Sequence, residues 1–118
     1  MICSVSNAQN QSMNQNCDLK EYSSQIQNIQ NIEKDNSGQN QLLLVNLTFS
    51  IKQCIDREQR FSQDTANLAK KVIVFSAKQD IYDLSIQYGP QSRYTLQNKN
   101  MITNNVRSYL KRLQKLVQ

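Results

Sequence analysis

The stretch that decides the fold is FSQDTANLAKKVIVFSAKQDIYDLSIQYGP, residues 61–90. Because glycine and proline occur only at its last two positions, this stretch favours one uninterrupted helix of roughly 40 Å. Ser62 is a good N-cap, and Asp64 lies in the first turn, where the helix dipole stabilises a carboxylate. Gly89 and Pro90 predict the end of the helix, since glycine adopts the left-handed conformation of a C-terminal cap and proline cannot continue the helix.

The apolar residues of this helix form two neighbouring stripes, whereas a surface helix needs only one. The first stripe consists of Phe61, Leu68, Val72, Phe75, Tyr82 and Ile86. The second consists of Ala66, Ala69, Ile73, Ala77, Ile81, Leu84 and Tyr88. Two stripes predict that the chain itself covers one side of the helix and that another surface covers the other side.

Two more helices are predicted, one on each side of the long one. The first spans about 41–58, and its far end, residues 56–60, is a short polar joint into the long helix; a second joint spans 89–97. The third starts near Asn98, which is a good N-cap, and continues to the end of the chain. Apolar residues at spacings of three and four define the seams of the two helices: Leu44, Leu47, Ile51 and Ile55 in the first, and Ile102, Val106, Tyr109, Leu113 and Leu116 in the third.

Charge and composition divide the chain into two parts. Residues 1–38 carry two lysines against four acids, whereas residues 39–118 carry twelve lysines and arginines against five acids. The first part is rich in Asn, Gln and Ser, which bury too little apolar surface to offset the entropy of ordering, so it is predicted to be a disordered tail. Residues 39–118 form the predicted domain, and its positive charge makes nucleic acid or an acidic protein a candidate partner.

Ile26, Ile29 and Ile32 recur in the tail at a spacing of three. They predict either a short helix that docks on a partner or a transient helix without consequence.

The sequence offers no constellation for catalysis or metal binding. It has no histidine, no glycine-rich phosphate loop, and no metal-ligand spacing among Cys3, Cys17 and Cys54. No catalytic residue, metal or cofactor is therefore predicted.

An odd number of cysteines, spread over a tail and an apolar helix, predicts free thiols in a reducing compartment rather than a disulfide framework. No apolar run is long enough to predict a membrane span, and the N-terminus lacks the pattern of a signal peptide.

A short helix, a long helix and a short helix with two tight joints form the arrangement of the histone fold. A single chain of this shape cannot cover its central helix on both sides, so two chains pair head to tail in a handshake dimer. The prediction is therefore an all-α histone-fold domain behind a disordered tail.

The sequence also resembles the centromere protein S family, histone-fold subunits that pair with centromere protein X. The resemblance is carried by Phe61-Ser62-x-x-Thr65, Asp83-Leu84 and Arg93-x-Thr95-Leu96, and it extends from Phe61 to about Leu113. Two features depart from the pattern. Histone folds usually place an aspartate where this chain has Asn100, to pair with the joint arginine, and Gly89-Pro90 ends the long helix earlier than is usual in the family.

The resemblance implies a non-catalytic, nuclear DNA-binding subunit that forms a heterodimer, and pairs of heterodimers, with a partner like centromere protein X. The setting would be the kinetochore or DNA repair. The expected partner interface is Phe61, Leu68, Val72, Ile73, Phe75, Tyr82 and Ile86. The expected contacts to double-stranded DNA, which are independent of sequence, are Arg57, Arg60, Arg93, Lys99, Arg107, Lys111, Arg112 and Lys115.

Each basic group also has a simpler interpretation. Arg57 and Arg60 could be ordinary solvated charges, Arg93 could bond within its own fold, and the basic face of the third helix could serve solubility alone. Two other functions remain open. One is a histone-fold subunit of a transcription or chromatin complex. The other is a small helical subunit of a mitochondrial or ciliary assembly, where the basic face meets protein, lipid or RNA.

Overall fold

The computed structural model describes residues 16–19 and 38–118. This part of the chain is built from three helices: α1 (Gly38–Asp56), α2 (Gln63–Tyr88) and α3 (Arg93–Leu116). Extended pairing among these residues is limited to two isolated bridges, Asn16 with Arg60 and Phe61 with Val117. The all-α class is therefore confirmed. The isoleucines at 26, 29 and 32, and most of the predicted tail, lie outside the described residues.

Both ends of α2 follow from the residues that predicted them. Ser62 is the N-cap, and its Oγ accepts a hydrogen bond from the Thr65 backbone N–H at 3.2 Å. At the other end, Gly89 has a φ of 94°, and its N–H donates to the Ser85 carbonyl at 2.9 Å. The left-handed φ at this position explains why the helix ends at a glycine.

The start of α3 differs from the prediction. The helix begins at Arg93, five positions before Asn98, because Ser92 rather than Asn98 is its N-cap. Ser92 Oγ accepts from the Thr95 N–H at 3.1 Å, and the buried Thr95 hydroxyl donates to the Leu84 carbonyl of α2 at 3.3 Å. The second joint is therefore shorter than predicted, and α3 has 24 residues against 26 in α2.

Helix α3 returns antiparallel along the whole of α2. At one end, the rings of Tyr88 and Tyr94 lie 4.4 Å apart between centroids. At the other end, the Phe61 N–H donates to the Leu116 carbonyl and the Gln118 N–H donates to the Phe61 carbonyl, both at 3.0 Å. The first joint is thus paired with the C-terminal end of its own chain.

The core lies where the three helices meet. Helix α1 contacts both others, and its side chains Leu47, Ile51 and Ile55 are completely or almost completely buried. Each such side chain contributes about 1.5–3 kcal/mol through removal from water. The remaining buried apolar side chains are Leu44, Phe61, Ala66, Ala69, Val72, Ile73 and Leu113 of the helices and first joint, with Cys17 and Leu19 of the N-terminal segment.

Residues 16–19 pack against the fold, and the free-thiol prediction is wrong for two of the cysteines. Cys17 forms a disulfide with Cys54 of α1, and its N–H donates to the Arg60 carbonyl at 2.6 Å. Cys17 and Leu19 are buried while Asp18 is exposed, as expected for an extended segment with alternating sides. For these four residues the assignment to a disordered tail is also wrong, because their two apolar side chains enter the core.

Candidate nucleic-acid interface

Positive charge is concentrated on α3. This helix carries six lysines and arginines and no acid. The rest of residues 39–118 carries six lysines and arginines against five acids, a net charge of +1. Almost all the net positive charge of the domain, six of +7, therefore lies on one helix.

Three of these cations form a row on the outer face of α3. Arg107, Lys111 and Lys115 are all exposed and are spaced four residues apart, on the side opposite the buried Leu113. At 1.5 Å per residue, neighbouring members are about 6 Å apart along the axis. None of the three side chains forms a hydrogen bond or an ion pair with the residues that the structure describes. We call this row the basic stripe.

Arg112 has a different environment, although it lies on the same helix. Its guanidinium bonds to Asp56 Oδ1 of α1 at 2.8 Å and lies 4.9 Å from the centre of the Tyr109 ring. The Tyr109 hydroxyl donates to the same carboxylate at 3.1 Å. The hydrogen bond to Asp56 raises the pKa of Arg112, and burial together with that carboxylate raises the pKa of Tyr109. Arg112 therefore ties α3 to α1 instead of extending the basic stripe.

The other predicted DNA contacts divide between the two ends of the molecule. Arg57 and Arg60 are exposed in the first joint, which is held beside the C-terminal end of α3 and so beside Lys115. Arg93 and Lys99 are exposed near the opposite end of α3. Within one chain the two joints therefore do not form a common basic surface.

Five of the seven predicted interface residues belong to the core of the single chain. Phe61, Val72 and Ile73 are at most 1% exposed, and Leu68 and Phe75 pack against the same cluster. The two others, Tyr82 and Ile86, are exposed. The second covering surface that the double stripe predicted is thus supplied over most of α2 by the chain's own α1 and α3.

Helix α1 exposes Leu42, Val45 and Phe49, and further large apolar side chains are exposed where α2 passes into α3. The latter are Tyr82, Ile86, Tyr88, Tyr94, Leu96 and Met101, each at least 44% exposed. We call them the apolar end patch. Sequence periodicity included the first three; of the last three, Tyr94 lies against Tyr88, with the ring centroids 4.4 Å apart. Exposed clusters of this kind are typical of protein contact sites.

A groove of about 300 Å³ lies between the three helices. Ile73, Ala77, Ile102 and Val106 contribute apolar walls, and Asp80 lies at its rim. Partial burial raises the pKa of Asp80, with repulsion from Asp83 adding to the effect and attraction to Lys52 opposing it.

The described residues contain neither a metal-binding cluster nor a membrane-spanning helix. No group of three or more His, Cys, Asp or Glu side chains within 16–19 and 38–118 is placed to hold a metal ion. No helix in this part of the chain has the length and apolar character needed to cross a membrane. Comparison with known proteins assigns no relative: no family model matches, and no curated protein or solved structure shows significant similarity.

Proposed function

We propose that this chain is a non-catalytic helical subunit that binds double-stranded DNA, independently of sequence, through the basic stripe of α3. The observation that carries the proposal is the row Arg107, Lys111 and Lys115, exposed on a helix without acids. Lysines and arginines bind DNA phosphates by releasing condensed counterions, which gives affinity without sequence readout.

The placement of α3 supports this proposal. The opposite face of the helix is anchored in the core by Leu113 and, at its two ends, by Thr95 and the backbone bonds of Phe61. The basic stripe is therefore presented by a helix fixed along its length. Arg57 and Arg60 extend the positive surface beyond Lys115 at the first joint. Asp56 and Glu58 lie in the same region, and their negative charges limit how far the positive surface extends.

The finer proposal is a histone-fold subunit like centromere protein S, working in the nucleus with a centromere-protein-X-like partner in kinetochore or repair assemblies. The long capped α2, its two tight joints, and the exposed Tyr82 and Ile86 support it. A handshake dimer puts the first joint beside the second joint of the partner. The backbone of Phe61 in the first joint is already hydrogen-bonded to Leu116 and Gln118. Pairing of this joint with a partner chain therefore requires the C-terminal end of α3 to move away.

The exposed apolar end patch favours a second candidate, a small structural subunit of a larger helical assembly. In this case the patch would be buried against a neighbouring protein, and the basic stripe would meet protein, lipid or RNA. Two observations would separate the candidates. A tagged full chain in the nucleus favours the DNA-binding subunit, whereas a chain confined to mitochondria or cilia favours the structural one.

The salt dependence of DNA affinity tests the proposal. Fluorescence anisotropy with two labelled duplexes of unrelated sequence should give similar affinities at each salt concentration. The slope of log affinity against log salt should be about −0.9 for each phosphate neutralised, so the three cations of the stripe give about −2.7. Changing Lys111→Gln and Lys115→Gln together should weaken binding to both duplexes and reduce the slope by about 1.8.

The matched control removes the same charge from another helix. Lys70 and Lys71 are exposed on α2, so Lys70→Gln with Lys71→Gln changes net charge equally while leaving the stripe intact. The control should lose much less affinity than the stripe variant. Equal losses in the two variants would show that net charge alone governs binding, and the absence of binding at low salt would refute the DNA proposal.

A further inference from the structure

The N-terminal segment of residues 16–19 lies across the first joint. The Cys17 N–H donates to the Arg60 carbonyl at 2.6 Å, and the Asn16 side-chain carbonyl accepts from the Gln118 side-chain amide at 2.9 Å. Cys17 and Leu19 are both less than a tenth exposed. The segment therefore covers apolar surface and occupies a backbone carbonyl of the joint.

The disulfide is the strongest of the contacts that hold this segment. Cys17 and Cys54 are 37 positions apart in sequence, and their Cα atoms lie 5.6 Å apart. Fixing a short extended segment loses conformational entropy, which the hydrogen bonds and buried side chains of four residues only partly offset. The covalent bond removes most of this loss, because it keeps the segment close even when its weaker contacts break.

The fold of the three helices depends much less on the disulfide than the docking of the segment does. Of the twelve buried side chains of the core, ten belong to the three helices and the first joint, whereas only Cys17 and Leu19 come from the segment. Cys54, in the last turn of α1, is only partly buried whereas Cys17 is buried, so we expect a small thiol to attack the bond at Cys54.

From these contacts we infer that Cys17–Cys54 is a redox-controlled clasp. A dithiol reductant attacks the Cys54 sulfur, the bond to Cys17 breaks, and Cys17 leaves as a thiolate that takes up a proton. The second thiol of the reductant then displaces Cys54, which leaves two protein thiols and the disulfide of the reductant. Residues 16–19 undock, and the Arg60 carbonyl and the apolar surface beneath Leu19 become accessible. Oxidation by a disulfide such as oxidised glutathione reverses the change.

Amide hydrogen exchange, followed by NMR on the full chain in oxidised and reduced forms, tests the clasp. Reduction should speed exchange of the Cys17 amide by about tenfold or more, because its bond to Arg60 is lost with the segment. The amide of Ile73, in the middle of α2, should keep its protection and serves as the internal control. Thiol counting should show two additional free thiols after reduction and their loss after incubation with oxidised glutathione.

Two variants provide a test without any reductant. Cys54→Ser should reproduce the reduced pattern of exchange, whereas Cys3→Ser should behave like the parent in both redox states. If Cys54→Ser does not fold, the reduced parent chain decides the outcome.

Three results would overturn the inference. They are unchanged exchange at Cys17 after reduction, loss of protection at Ile73 together with Cys17, and failure of the two thiols to pair in oxidised glutathione. Loss of protection at Ile73 would show that the disulfide stabilises the whole domain. The clasp and the DNA contact have different readouts, so either can fail without the other.

Discussion

At the scale of single residues, Asp56 has the clearest link to the proposed function. Its carboxylate accepts from Arg112 at 2.8 Å and from the Tyr109 hydroxyl at 3.1 Å, and it therefore neutralises one cation of α3. The two charged side chains are 43% and 52% exposed, so solvent screens their attraction. An exposed pair of this kind contributes at most about 1 kcal/mol to the free energy of unfolding.

Asp56→Asn should release Arg112 for DNA binding. We expect tighter binding at low salt and a salt slope steeper by up to about 0.9, with a loss of no more than about 1 kcal/mol of stability. Anisotropy titrations and urea denaturation measure the two effects. The control is Asp83→Asn near the C-terminal end of α2, which makes the same change in net charge far from the pair of Arg112 and Asp56. If both variants bind DNA equally well, the release of Arg112 is not the cause of the tighter binding.

At the scale of elements, the cap of α3 decides where the helix begins. Ser92 and Thr95 repeat the spacing of Ser62 and Thr65, and in each pair the serine Oγ accepts the threonine N–H. Asn98, the predicted cap, lies within the helix, and its amide donates to the Tyr94 carbonyl at 2.8 Å.

Ser92→Ala should therefore destabilise the domain by about 1 kcal/mol, the usual loss for an N-cap. Asn98→Ala should have little effect, since its hydrogen bond is exposed and alanine favours the helix interior. The midpoint of urea denaturation measures both changes. If Asn98→Ala destabilised the domain more than Ser92→Ala, Asn98 rather than Ser92 would be the N-cap of α3.

The elements also show what sequence could and could not predict. The ends of α2 were predictable because Ser62, Gly89 and Pro90 act locally. The start of α3 was missed because an apolar seam does not fix a helix end, although the repeated Ser-x-x-Thr spacing was available as a signal. The packing of Cys17 against Cys54 joins residues far apart in sequence, and no local pattern reports it. The basic stripe was predictable from its four-residue spacing, whereas the pairing of Arg112 with Asp56 needed the arrangement of α1 against α3.

At the scale of the whole molecule, the core is closed within one chain, while large apolar side chains remain exposed on α1 and at the end where α2 meets α3. Leu47, Phe61 and Val72 are completely buried without a partner, but Ile86 and Met101 of the apolar end patch are 70% and 68% exposed. The sequence alone predicted a second covering surface along all of α2. On α2 the structure restricts the uncovered part to the end where this helix meets α3, and we expect association to depend on this end rather than on the exposed apolar residues of α1.

Changing Ile86→Gln and Met101→Gln together should reduce self-association of the purified chain without lowering its melting temperature. Both side chains are exposed, so the variant removes apolar surface from water and leaves the core intact. Sedimentation velocity measures association, and circular dichroism measures melting. The control is Val45→Gln with Phe49→Gln, two similarly exposed positions on α1. Association that persists unchanged in the patch variant would show that this end is not the contact surface.

The most direct test of the central claim is to locate DNA on the surface of the molecule. The ¹⁵N-labelled full chain would be titrated with a short duplex at low salt while the backbone amide signals are followed. We expect the largest shifts at Arg107, Lys111 and Lys115, with smaller changes at Arg57 and Arg60. Changes centred on α1 or on the apolar end patch, or no changes at low salt, would contradict this expectation.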